Sequence, residues 1–160
     1  MKNGKFYAVW VVILIVGIVG ILSFFSNSDL QKKIKIEEAG LELNNQFVEK
    51  FFNYTSSRQR YDSVKSLMTE QGYRATYPSG MELPADSSVR SLVTNHQSFV
   101  QKEPSLNDNQ MEYLNRFVVT TEFNGIQSSK EVIMRTLLIK EGSVGWKVND
   151  IEMIIQNTKP

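Results

Sequence analysis

The sequence predicts an α+β protein: one N-terminal transmembrane helix, then two to three helices packed on a curved four-stranded antiparallel sheet. Three observations carry this. Residues 6–25 hold no charged side chain and are apolar except for Tyr7, Ser23 and the glycines. Residues 30–71 repeat apolar side chains at the three- and four-residue spacing of helices. Residues 88–156 alternate instead, with turn dipeptides between the runs.

The apolar run FYAVWVVILIVGIVGILSFF is 20 residues long. As a helix it spans about 30 Å, the hydrocarbon thickness of a bilayer. Lipid offers no partner to backbone N–H and C=O groups, which favours a helix further. The run exceeds the roughly 7–15 residues of a signal-peptide core. Phe24 and Phe25 spoil most cleavage registers, and only Ser26-Asn27-Ser28 is acceptable. An uncleaved anchor is expected, with a secreted domain after cleavage at Ser28 as a further reading. No cysteine is present, so no lipoprotein anchor can form. Trp10 lies about one turn into the run, where the headgroup level favours Trp. Gly17 and Gly20 form GxxG rather than the GxxxG of close helix pairs.

Lys2 and Lys5 precede the run, and Lys32, Lys33 and Lys35 follow it. The positive-inside rule therefore pulls both ways. The expected arrangement is a cytoplasmic tail at 1–5, the span at 6–25, a stalk at 26–40, an external α+β domain at 41–157 and a tail at 158–160.

The chain has 18 basic and 17 acidic residues. Two of the basic residues are Lys2 and Lys5, leaving 16 against 17 beyond the run. That balance is not the clustered basic excess of a nucleic-acid binder. The absence of cysteine excludes disulfides, thiolate catalysis and cysteine-ligated metals.

Along the domain, Ser26-Asn27-Ser28-Asp29 is expected to break the chain, with Asp29 capping a helix over 30–53. Leu41, Phe47, Val48, Phe51 and Phe52 make its apolar stripe, and Gly40 weakens it by about 1 kcal/mol. A second helix is expected over 58–71, burying Tyr61, Val64, Leu67 and Met68, with Gly72 as its C-cap. Tyr77, Pro78, Gly80 and Pro84 mark a loop. Strands follow at 88–102, 111–123, 129–140 and 144–156. Asn124-Gly125 is a hairpin dipeptide, and Glu141-Gly142-Ser143 a second turn.

This order, with the closing Gly145-Trp146-Lys147-Val148-Asn149-Asp150-Ile151, resembles the nuclear-transport-factor-two-like superfamily, a cone-shaped α+β fold. The Trp146 ring would be buried between sheet and helix. With the anchor and stalk added, the chain looks like the VirB-type bitopic scaffold of type IV secretion and conjugation machines. FVEKFFNYTSSRQRYDSVKSLMTEQGY is similar in style to conjugative-element members of that group. The resemblance implies a non-enzymatic assembly factor in a bacterial cell membrane. It would bind other channel subunits, self-associate, and contact no nucleic acid directly.

No catalytic, cofactor-binding or metal site is expected, and no cofactor. His96 is the only histidine and reads as a partly exposed polar residue. Asp150 and Glu152 lie two apart on a strand and face one side. Glu122 and Glu131, on the neighbouring hairpin, could approach them. Paired carboxylates can divide acid and base work, and some relatives of the cone fold are isomerases or dehydratases. Such sites need a buried acid with a phenol or imidazole partner. The alternative is thus a membrane-anchored ligand-binding or enzymatic cone domain. Asn53-Tyr54-Thr55 matches a glycosylation triplet, without consequence in a bacterium.

Overall fold

The computed structural model describes residues 3–78, 80, 83, 89–101, 107, 109–142 and 145–158, excluding the side chains of 3–13, 15–26, 28, 29 and 156–158. Helix α1 spans Asn3–Phe52, α2 Ser57–Val64 and α3 Glu70–Thr76, with a 3-10 turn at Lys65–Leu67 between the last two. Strands β1 (Val89–Gln101), β2 (Gln110–Phe123), β3 (Ile126–Glu141) and β4 (Gly145–Thr158) follow. The chain divides into two compact units, Met1–Glu38 and Ala39–Pro160.

In the first unit the backbone stays helical through 26–29, so the expected break there is not formed. Ser, Asn and Asp each cost only a fraction of a kcal/mol inside a helix, up to about 0.7. No proline interrupts the backbone ladder there. The expected span at 6–25 has helical backbone, but its side chains, Leu14 apart, lie outside the described residues. Among the described residues no helix is long and apolar enough to cross a membrane.

The second unit is a four-stranded antiparallel meander in the order β1-β2-β3-β4, carrying helices on one face. Asn124 and Gly125 have φ of 51° and 78°, the two positive angles of a type I′ turn, which matches strand twist. They set Phe123 opposite Ile126 and fix the register of β2 against β3. Alternate residues then point to the helices: Tyr113, Asn115, Phe117 and Val119 from β2, and Val132, Met134, Thr136 and Leu138 from β3. Phe47, Val48, Phe51 and Phe52 of α1 pack against them, with Phe52 and Phe117 ring centroids 4.8 Å apart. Each such ring or aliphatic side chain contributes about 1.5–3 kcal/mol by burial. Trp146 is buried as expected, and Val148 is buried beside it.

Three expectations are corrected. Leu41 is 39% exposed, and Asn44 takes the buried place on that face of α1. The helix expected over 58–71 is interrupted. Met68 forms a parallel bridge to Val148, and the Thr69 N–H donates to the Val148 carbonyl at 2.9 Å. Thr69 then caps α3 through its hydroxyl, which accepts from the Gly72 N–H at 2.9 Å. Gly72 is therefore not a C-cap. It lies inside α3, where a Cβ would sit 2.5 Å from the Asn149 carbonyl oxygen. Gly40 likewise has a packing reason: a Cβ there would sit 2.6 Å from Met111 Sδ and 2.9 Å from Tyr113 Oη. Gly40 thus packs within the second unit.

Both sheet edges are partly capped. Tyr54 and Ser91 exchange backbone hydrogen bonds at 3.2 and 2.9 Å, and Asn53 Oδ1 accepts from the Val93 N–H at 2.6 Å. An exposed edge strand is a template for unwanted pairing, and these contacts blunt β1.

Candidate functional site

The face of the sheet turned away from the helices is the first candidate surface. Strand alternation places Leu92 and Phe99 of β1, Leu114 and Val118 of β2, Ile133, Leu137 and Ile139 of β3, and Ile155 of β4 on it. Leu92 is 55% exposed, Phe99 54% and Ile155 39%. Two arginines of this face are tied to acids. Arg116 meets Glu131 at 2.6 Å. Arg135 meets Glu152 at 2.7 Å, Glu112 at 3.4 Å and Asp150 at 3.9 Å. The result is an apolar sheet surface divided by ion pairs.

This geometry corrects the expected carboxylate cluster. Asp150 and Glu152 do share a face, but their neighbour is the Arg135 guanidinium. Glu131 lies opposite Asn157, roughly 13 Å along the strand from Arg135 at about 3.3 Å per residue. Glu122 accepts from Gln127 Nε2 at 3.3 Å instead. The acid that joins Asp150 and Glu152 is Glu112, only 5% exposed. Sequence reasoning missed it because the pairing depends on register. Irregularities in the β3–β4 pairing, near Asn149 and Ile154, shift β4 against β3. The lone arginine inside the EVIMRTLLIK run was the available signal.

A second feature lies between α1 and the sheet. Asn44, Asn115 and Thr136 are fully buried and bonded to one another. Asn44 Nδ2 donates to Asn115 Oδ1 at 2.7 Å, Asn115 Nδ2 donates to Thr136 Oγ1 at 3.0 Å, and Thr136 Oγ1 donates to Asn44 Oδ1 at 2.5 Å. Ser98 Oγ joins them from β1, 2.8 Å from Asn115 Oδ1 and 2.7 Å from Asn45 Oδ1. His96 Nε2 completes the group, 3.1 Å from Asn115 Oδ1 and 3.0 Å from Ser98 Oγ. His96 is half-buried, as a partly exposed polar residue should be, yet it is also anchored. Asn95, with φ of 55°, forms a bulge that turns it inward. Asn is among the few residues that tolerate that conformation.

A third feature is Arg60 of α2. Its guanidinium carbon stands 3.9 Å from the Phe51 ring centroid, 5.3 Å from Tyr54 and 5.6 Å from Tyr61. Its Nε is buried without a hydrogen-bond partner. Burial lowers its pKa from the usual arginine value, and the two tyrosines oppose that shift. The rings thus solvate the cation through their electron-rich faces.

Grooves adjoin these features. One of about 420 Å³ is bordered by Tyr54, Arg90, Ser91 and Glu122. Of the expected acids only Glu122 reaches it. Among the described residues no group of acids and histidine could hold a metal ion.

Comparison with known proteins agrees with this architecture. Residues 24–155 match the family model described as YddI NTF2-like domain. A Bacillus subtilis (strain 168) protein described as uncharacterized protein YddI is 30% identical over 132 residues, 79% of this chain and 76% of that one.

Proposed function

Starting from a chain that belongs to the YddI NTF2-like domain family, we propose a non-enzymatic, membrane-anchored scaffold of a type IV secretion or conjugative DNA-transfer channel. It acts by protein–protein contacts. The observation that carries the reading is the outward sheet face. Leu92, Phe99 and Ile155 stand exposed there beside paired charges. An apolar centre with a polar rim is the anatomy of a protein interface. Exposed apolar patches of a folded domain mark such surfaces.

The apolar sequence at 6–25 supports a membrane location, with the N-terminus inside and the domain outside. Anchoring confines the domain to a thin layer. Contacts that are weak in solution then assemble through raised effective concentration. Asp150 and Glu152 beside Arg135 support the non-enzymatic part. Their carboxylates meet the Arg135 guanidinium at 3.9 and 2.7 Å, not a phenol or imidazole partner.

The second reading, a ligand-binding or enzymatic cone domain, is favoured by Glu122 and the Tyr54 phenol on one groove. One experiment separates the two. Phe99→Asp and Glu122→Gln are made in the host, and DNA transfer is measured with protein levels held equal. The scaffold reading expects Phe99→Asp to lower transfer at least tenfold and Glu122→Gln to leave it intact. The reverse pattern would overturn it.

A further inference from the structure

We infer that the cleft between α1 and the β1 bulge binds a sugar ring. This goes beyond the scaffold reading and does not depend on it. Asn45 and Glu49 on α1 and Asn53 just past its end recur every four residues, with the Asn53 N–H donating to the Glu49 carbonyl at 2.8 Å, and so share one face. With Asn95 and His96 of β1 they line a cleft of about 260 Å³. That is just below the roughly 300–1,000 Å³ of sites for drug-sized ligands, which suits a single small ring.

The hydrogen-bonding groups facing the cleft still have capacity. Asn45 Oδ1 is taken by Ser98, and Asn53 Oδ1 by the Val93 N–H, which leaves both amide NH2 groups. Neither the Glu49 carboxylate nor the Asn95 amide has a side-chain partner among the described residues.

The tautomer of His96 follows from its neighbours. Asn115 Nδ2 faces the Thr136 hydroxyl, so Asn115 presents its oxygen to His96 Nε2 at 3.1 Å. An oxygen that only accepts requires a proton on that nitrogen. His96 Nε2–H therefore donates into the buried network, and Nδ1 carries the free lone pair. Donation through Nε2 leaves His96 without a base for Ser98, so the two do not form a nucleophile pair.

The cleft thus mixes amide donors with a carboxylate and an imidazole acceptor. A hydroxyl both donates and accepts, so adjacent hydroxyls on one ring satisfy alternating donors and acceptors. Val93, which pairs with the helix-facing Val119, supplies apolar contact for ring C–H groups. An isolated anion would meet Glu49, and an isolated cation would leave the three amide NH2 groups unused.

The chain has one histidine, so selective 15N-histidine labelling gives a single imidazole reporter. The full chain in lipid nanodiscs is titrated with N-acetylglucosamine, its β-1,4-linked tetramer, ethanolamine and glycerol. The expected result is a saturable shift of the His96 Nδ1 resonance with the sugars, while Nε2 stays protonated. Tighter binding of the tetramer identifies an envelope glycan as the source, and equal binding a free sugar. Glu49→Gln, an exposed and near-isosteric change, should weaken binding at least fivefold. No sugar response, an equal response to glycerol, a response to ethanolamine alone, or binding unchanged in Glu49→Gln would overturn the proposal.

Discussion

Asn44 of α1 and Asn115 of β2 hold each other by two amide hydrogen bonds, at 2.7 and 3.3 Å, in a site without solvent exposure. The contact joins the first helix to the second strand across 71 residues of sequence. A buried polar pair is stabilising only while every member is satisfied. Asn115→Ala removes partners of Asn44, Thr136, Ser98 and His96 together. Orphaned buried groups cost about 1–3 kcal/mol each, with partial relief from solvent at Ser98 and His96. Urea denaturation should show a loss of about 3 kcal/mol. The double variant Asn44→Leu with Asn115→Leu should lose less than the sum of the two single changes.

Gly72 sets the approach of α3 to β4. In an ordinary helix Gly→Ala stabilises by about 1 kcal/mol. Here the added Cβ would lie 2.5 Å from the Asn149 carbonyl oxygen, which is backbone and cannot rotate away. Gly72→Ala should therefore destabilise by about 1–3 kcal/mol, the range for overpacking. Thermal unfolding decides between the two signs.

Arg60 separates packing from charge. Its stem and guanidinium lie against Phe51, Tyr54 and Tyr61, with no carboxylate in contact among the described residues. Arg60→Ala loses the cation–π attraction and the packed stem, about 1–2 kcal/mol. Arg60→Met keeps the stem and removes the desolvated charge, so stability should be unchanged or higher. Chemical denaturation of both variants checks the order, Met above Ala.

Tyr73 gives a pH dependence. Its pKa is raised, chiefly by desolvation and then by the Asp62 carboxylate. The folded state thus holds the phenol proton more tightly than the unfolded chain. The stabilisation is complete below the unfolded value, about 10, and is lost as pH rises through the folded value. Stability should fall above pH about 10, and the fall should be smaller in Tyr73→Phe. Denaturant midpoints across that range read it directly.

The sequence carried the fold where its signals were local. Asn124-Gly125 announced the hairpin, and the alternation around Phe117 announced β2. Trp146 entered the core as expected. What it did not carry depended on contacts distant in sequence. Met68 leaves the helical path because it meets Val148, and no local property of Leu67 or Met68 says so. Asn44 is polar and breaks an apolar stripe, so Leu41 looked the better core residue until Asn115 supplied its partner. Arg135 could be joined to Asp150 and Glu152 only once the register shifts of β4 were known. His96 looked isolated because the bulge at Asn95 has no strong sequence mark beyond the asparagine itself.

The proposed role rests on the outward sheet face docking other subunits of an envelope channel. A photo-crosslinking residue at Phe99, which is 54% exposed on that face, tests it in cells carrying out DNA transfer. The same residue at Gln59, on exposed α2, serves as the control. Docking through this face should give crosslinks from position 99 to channel subunits, identified by mass spectrometry, and few or none from position 59. Crosslinks from position 99 to no channel component would contradict it.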